Sequence, residues 1–168
     1  MQVIFNHGKE SGPWGTKISA FAETAEAAGM HVTSLDYRGM DNPDTRVKKL
    51  MEYIGSLSDP FVLVGSSMGG YVATAAGEAS NCKGLFLLAP AFYLGGEVDF
   101  DKVTPQCKIH IVHGWKDDIV PVENSWRYAK RTHAQLHIVN DDHRLIDSLP
   151  QTNALFSDFL QTILTTQE

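Results

Sequence analysis

The run Phe61-Val62-Leu63-Val64-Gly65-Ser66-Ser67-Met68-Gly69-Gly70-Tyr71-Val72 constrains this chain more than any other stretch. An apolar, β-branched segment stops at Gly65, and a helical pattern rich in alanine and glycine takes over by Met68. Gly65, Ser67 and Gly69 form G-x-S-x-G across that junction. A strand that becomes a helix within two residues forces its apex into a strained conformation. Glycines leave room where side chains would strike the crossing elements. The Ser67 hydroxyl is thereby lifted above the sheet at a helix N-terminus, whose free N–H groups favour developing negative charge. Ser66, one position earlier, is at the wrong place in the turn and is expected to be buried.

Short apolar strands alternate with amphipathic helices on either side of this junction. Val3 to Asn6 reads as a strand, and a glycine-rich loop from Gly8 to Gly15 leads into a helix through about Ala28. Ile18, Phe21, Ala22 and Ala25 recur at helical spacing, and Gly29 supplies the stop. His31 to Tyr37 is a second strand, and a helix starts near Pro43 and Asp44. After the helix from Met68 to about Ala79, Gly84 to Pro90 is a wholly apolar strand, as expected when both faces are covered. Ala91 to Gln106 has no helical period and reads as a loop. Strands at Lys108–Val112 and Leu136–Val139 flank a helix from about Glu123 to Arg131, and a last helix runs from about Pro150 to Leu164, with Leu155, Phe159 and Ile163 on one face. This alternation predicts an α/β fold of about six mostly parallel strands with helices on both faces, in one domain spanning residues 1–168.

Charge and composition exclude several function classes. A formal net charge of −6 argues against nucleic acid or an anionic membrane as a partner. No apolar run approaches the roughly 18–20 residues that span a bilayer, and the first residues carry no basic, apolar leader pattern. Cys82 and Cys107 are isolated in sequence, without metal-ligand spacing, and read as free thiols of a cytoplasmic protein. The turn from Gly8 to Gly15 lacks G-x-G-x-x-G, which argues against a dinucleotide-dependent oxidoreductase.

In a parallel sheet every strand's carboxyl end opens on one edge, where ligands bind. This chain puts His7-Gly8-Lys9 there after the first strand and Ser67 after the third. Asp117 beside Asp118 follows the fifth, and His143 the last. A serine nucleophile needs a base to take its proton and an acid to hold that base in the right tautomer. The chain order Ser, Asp, His is the one that accompanies a G-x-S-x-G elbow. The remaining histidines read as packed or surface groups: His110 and His137 lie within strands, His31 opens one, and His133 follows a helix. His7 and His113 precede glycines in turns and are expected to bond to backbone.

These residues together resemble the α/β-hydrolase family, in particular its small lidless bacterial members. The resemblance rests on His7-Gly8, Asp36-Tyr37-Arg38-Gly39, the Gly65–Gly70 elbow, His113-Gly114-x-x-Asp117-x-x-Val120-Pro121 and Asp142-His143. The family's leading antiparallel strands are absent, and the place where larger members insert a cap holds only the Ala91–Gln106 loop. The resemblance implies Ser67 as nucleophile, His143 as base and Asp117, by its spacing to Val120-Pro121, as the acid. It also implies an oxyanion hole from the backbone N–H groups of Met68 and of Lys9 or a near neighbour. The expected activity is hydrolysis of a small, accessible ester or thioester without a metal or organic cofactor. The alternative is an inactive binding or scaffold protein that keeps the fold. Trp14, Phe92, Tyr93 and Trp115 are pocket candidates. Lys9, Arg38, Lys116 and Arg144 fall in loops on the active edge, where they could attract an anionic substrate. Glu10, Asp41, Asp118, Asp141 and Asp142 share those loops and oppose that field. Nothing in the sequence demands a homodimer, although an apolar edge strand would support one.

Overall fold

The computed structural model describes residues 1–166. Six strands form one sheet: β1 (Gln2–Asn6), β2 (His31–Leu35), β3 (Phe61–Ser66), β4 (Gly84–Leu88), β5 (Lys108–Gly114) and β6 (Gln135–Val139). Their order is β2-β1-β3-β4-β5-β6, and every pairing is parallel. The intervening helices are α1 (Thr16–Ala27), α2 (Pro43–Gly55), α3 (Met68–Glu78), α4 (Val122–Thr132) and α5 (Leu149–Thr165).

Alternation along each strand divides the core into two layers. Val3, Phe5, Val62, Val64, Phe86 and Val112 face α1 and α5, where Phe21, Phe156 and Phe159 meet them. Ile4, Leu63, Leu85, Leu87 and Ile111 face α2, α3 and α4. Both sides of the inner strands are thus dry, which is why β4 reads as an unbroken apolar run. On α5 the buried stripe is Thr152, Phe156, Phe159, Leu160 and Ile163, whereas Leu155 is only partly covered. Strand β5 continues two residues past its expected end, to Gly114, because it pairs there with Val139.

The chain leaves β1 toward β2 on one side, then returns to place β3 on the other. The order of strands therefore reverses between β1 and β3, and a crevice opens outside their carboxyl ends. The Ala91–Gln106 segment remains a loop and is fastened rather than free. Tyr71 donates to Asp44 and accepts from the Val98 N–H, while the Glu97 N–H donates to Asp44. Cys82 and Cys107, unrelated in sequence, meet in space with their sulfurs 3.4 Å apart as free thiols.

Arg46 is the least expected member of the interior. It is almost wholly buried, without a carboxylate partner among the described residues, and spends its guanidinium on the carbonyls of Met40, His7 and Gly8. Substituting methionine preserves most of the volume but leaves those carbonyls unsatisfied, and an unsatisfied buried polar group costs about 1–3 kcal/mol. We expect Arg46→Met to lower unfolding stability by about 2–4 kcal/mol in urea titrations, with little change in denaturant slope. A loss under about 0.5 kcal/mol would show that the carbonyls find other donors.

Candidate active site

The elbow has the geometry that its glycines require. Ser67 caps α3 at φ 53° and ψ −117°, in the left-handed half of backbone space where a side chain is strained. A Cβ on Gly69 would lie 1.8 Å from the Asn6 carbonyl oxygen, and one on Gly65 would lie 2.2 Å from that of Gly69. Only hydrogen fits at either place. The turn is tied to the next strand, with the Ser67 N–H donating to Leu88 and the Ala91 N–H to the Ser67 carbonyl.

Three strand ends converge on the Ser67 side chain. Its Oγ lies 3.0 Å from His143 Nε2, and His143 Nδ1 lies 2.7 Å from Asp117 Oδ2. A carboxylate oxygen only accepts, so Nδ1 carries the proton and Nε2 is left to accept from the serine hydroxyl. The Asp117 side chain is fully buried, and its second oxygen accepts the N–H groups of Ile119 and Val120. Asp118 is exposed, at the surface of the same turn.

The loop that carries His143 is held as firmly as the elbow. The Trp115 N–H donates to Val139 and the Lys116 N–H to Asp141, joining the loops that follow β5 and β6. Burial works against the charge of Asp141, but hydrogen bonds from Ser148 and the Asp142 N–H hold its carboxyl below the usual range. His143 is therefore aimed by backbone on both sides.

His7 and His113 are both fully buried, and burial lowers both pKa values, which keeps them neutral. His7 bonds to backbone as expected, with Nε2 accepting from the Tyr37 N–H and Nδ1 donating to Gly8. His113 does more than sequence suggested. Its Nε2 lies 2.9 Å from the Val120 carbonyl and 3.0 Å from Asp117 Oδ2. Both neighbours are acceptors, so the proton sits on Nε2, and Nδ1 accepts from the Ser125 hydroxyl. His113 thus presents an N–H to the carboxylate that His143 uses. The pattern His-Gly-x-x-Asp held the signal, since it returns the aspartate over the histidine that ends the strand.

The cavity beside these groups has a volume of about 540 Å³. It lies at the strand-order reversal, between the Gly8–Gly12 loop, the first turn of α1 and the loops bearing Ile119 and His143. Gly8 packs against Ser67, near enough that a Cβ there would lie 3.5 Å from the serine's. The amides of Met68 and Lys9, expected to face a developing oxyanion, donate to no loop or cap carbonyl among the described residues. Ser66 is half-buried and lines the cavity, rather than being sealed in the core.

None of the four aromatic pocket candidates lines this cavity. Phe92 is wholly buried against Phe100 and Tyr128 on the opposite side of the sheet from α1. Tyr93 packs beside it, with Arg127 over its ring. Both turn inward because the loop after β4 folds over α3 and α4 and needs apolar filling. Trp14 and Trp115 are more than half exposed. Of the four basic rim residues, Lys9 and Arg144 line the cavity, whereas Arg38 is engaged by Asp36. Sequence reading missed Lys17, which also lines it.

A parallel sheet with a serine at a strained strand-to-helix turn, joined through a histidine to a buried aspartate, defines a hydrolase-type α/β protein. The chain belongs to the alpha/beta hydrolase family, whose sequence profile matches residues 3–163. Its structure is similar to that of a hydrolase of the alpha/beta superfamily from Xanthomonas campestris pv. campestris, with 29% identity and a TM-score of 0.86 over 96% of this chain and 98% of that one. A serine hydrolase without a lid, also from Xanthomonas campestris, shares the fold at 20% identity and a TM-score of 0.78, over 96% and 81% of the two chains. In sequence the chain is 25% identical to the mitochondrial palmitoyl-protein thioesterase ABHD10 of Bos taurus, over 85% of this chain and 67% of that protein. No described helix is long and apolar enough to cross a membrane.

Proposed function

We propose that this protein is a serine hydrolase that cleaves a small, accessible carboxylic ester or thioester through an acyl-enzyme on Ser67. The observation that carries this reading is the unbroken contact from Ser67 Oγ through the His143 ring to the buried Asp117 carboxylate. His143 Nε2 takes the hydroxyl proton as Ser67 Oγ attacks the substrate carbonyl. Asp117 keeps the ring in the Nδ1–H tautomer and stabilises the imidazolium that forms. The N–H groups of Met68 and Lys9 hold the tetrahedral oxyanion, a contribution of about 3–4 kcal/mol for each donor. The intermediate collapses as His143 returns its proton to the leaving oxygen or sulfur. A water deprotonated by His143 then attacks the acyl carbon and releases the acid, restoring Ser67. These residues perform every proton transfer, so the reaction calls for no added cofactor.

Substrate size follows from the lining of the cavity, whose apolar side chains are three isoleucines, and from the lack of a helical cap among the described residues. A matched series of activated esters and thioesters, with acyl chains of about two to sixteen carbons, tests this directly. We expect kcat/KM to peak among the short chains, since a cavity lined mostly by glycines and polar side chains offers a long acyl tail little apolar wall and leaves it in water. The bovine relative's name makes a palmitoyl thioester the natural long-chain comparator. A maximum at the longest chains would overturn the small-substrate reading.

A further inference from the structure

The cavity beside Ser67 is neither plainly apolar nor plainly polar. Ile18, Ile119 and Ile146 supply an oily wall. Lys9, Lys17 and Arg144 add three cations against the single carboxylate of Glu10, in a protein whose net charge is −6.

Lys17 is the unusual member. It stands in the first turn of α1, is half-buried, and has no ion-pair or hydrogen-bond partner among the described residues. A cation drawn from water without a partner is a cost that the fold carries. Arg144 repels it, while Asp117, Asp141 and Asp142 attract it. Those carboxylates are otherwise engaged. Asp117 serves His143 and two backbone N–H groups, Asp141 holds Ser148, and Asp142 accepts from the Arg144 N–H. Burial outweighs their pull and brings the Lys17 ammonium down to about 8. At neutral pH it is still mostly protonated.

We infer that Lys17, with Arg144 beside it, forms an anion subsite in this cavity, selecting esters or thioesters that carry a carboxylate-like group a few bonds from the scissile carbonyl. The subsite rests on the reading of Ser67 as the nucleophile. An anionic end would pair with the lone ammonium while the isoleucines cover the intervening methylenes. Such a pair is stronger at a half-buried ammonium than it would be in bulk water. Arg144, nearer the mouth, would draw the anion in.

Two pairs of esters test the subsite and tell which half of the substrate bears the charge. The 4-nitrophenyl esters of glutaric and valeric acids differ by an acyl-side carboxylate. 3-Acetoxybenzoate and its methyl ester differ by one on the leaving group. We expect wild type to favour the anionic member of at least one pair. Lys17→Met should lower that preference, as a ratio of kcat/KM values, by about tenfold or more, and Lys17→Arg should retain most of it. In wild type the same ratio should fall as pH rises from about 7 to about 9, because Lys17 loses its proton in that window. Calorimetric binding of glutarate at about pH 7 supplies a readout independent of turnover, and should weaken by about tenfold or more in Lys17→Met.

Neutral esters cleaved with no charge preference, and no Lys17-dependent glutarate binding, would overturn the subsite and leave the hydrolase reading intact. No ester turnover, with glutarate still held through Lys17, would overturn the hydrolase reading and leave the anion site standing. An equal preference in wild type and Lys17→Met, with equal glutarate affinity, assigns any anion binding to other groups and ends the proposal.

Discussion

Replacement of Ser67 by alanine is expected to lower kcat/KM toward an activated ester by about five orders of magnitude, while the thermal midpoint stays within about 3 °C of wild type. Both halves of this expectation come from the geometry. The Oγ atom has one hydrogen-bond partner among the described residues, His143 Nε2 at 3.0 Å, and alanine keeps the Cβ that packs beside Gly8. The backbone strain at φ 53° is the same for either side chain. What disappears is the atom that, in the proposed reaction, forms the new bond to carbon. The amides of Met68 and Lys9 remain, so turnover should stay measurably above the uncatalysed rate, as oxyanion stabilisation alone provides. A loss of only about tenfold would mean that the hydrolysis measured does not pass through Ser67. Ser66 lines the same cavity and is the control: Ser66→Ala should leave an accessible nucleophile in place.

Asp117→Asn should cost about four orders of magnitude in kcat while the protein remains folded. The carboxylate has no exposed surface and accepts from four directions: His143 Nδ1–H, the N–H groups of Ile119 and Val120, and the nearby His113 Nε2. An asparagine has one acceptor oxygen and one donor amide in the same place. If the oxygen keeps the two backbone N–H groups, as local geometry favours, the amide is turned toward His143. Its N–H would then donate to Nδ1, force the proton onto Nε2, and leave His143 donating toward Ser67 when it should accept. The kcat loss should be nearly independent of acyl chain, because the defect lies in proton transfer and not in binding. A loss confined to KM would place Asp117 outside the chemistry. His113→Gln gives a milder comparison, since it weakens one support of the same carboxylate.

Much of this was legible in the sequence, and for a physical reason. Parallel strands deliver their carboxyl ends to one edge, so the residues just after Ser66, Gly114 and Val139 had to become neighbours. The elbow was legible because glycine at positions 65 and 69 is demanded by backbone contacts that no other residue tolerates. Side-chain direction outside the strands was not legible. Arg46 lies on a helix whose Lys48, Lys49 and Glu52 are exposed, and it turns inward because the His7, Gly8 and Met40 carbonyls gather over it. Lys17 has the pattern of a solvated first turn, and its cavity exists only once the Gly8–Gly12 loop folds back on Ser67. Phe92 and Tyr93 follow a buried strand at the active edge, and nothing local distinguishes a pocket wall from a loop's own core. The contact between Cys82 and Cys107 joins the approach to β4 with that to β5, a proximity set by strand order alone.

The central claim is that Ser67 is an activated nucleophile, and intact mass after incubation with a fluorophosphonate reads that claim without knowledge of the substrate. Wild type should gain the mass of one phosphonyl group, and Ser67→Ala, confirmed folded by circular dichroism, should gain none. A folded wild-type protein that takes up no adduct, or a Ser67→Ala protein that takes up one equally well, would contradict the assignment.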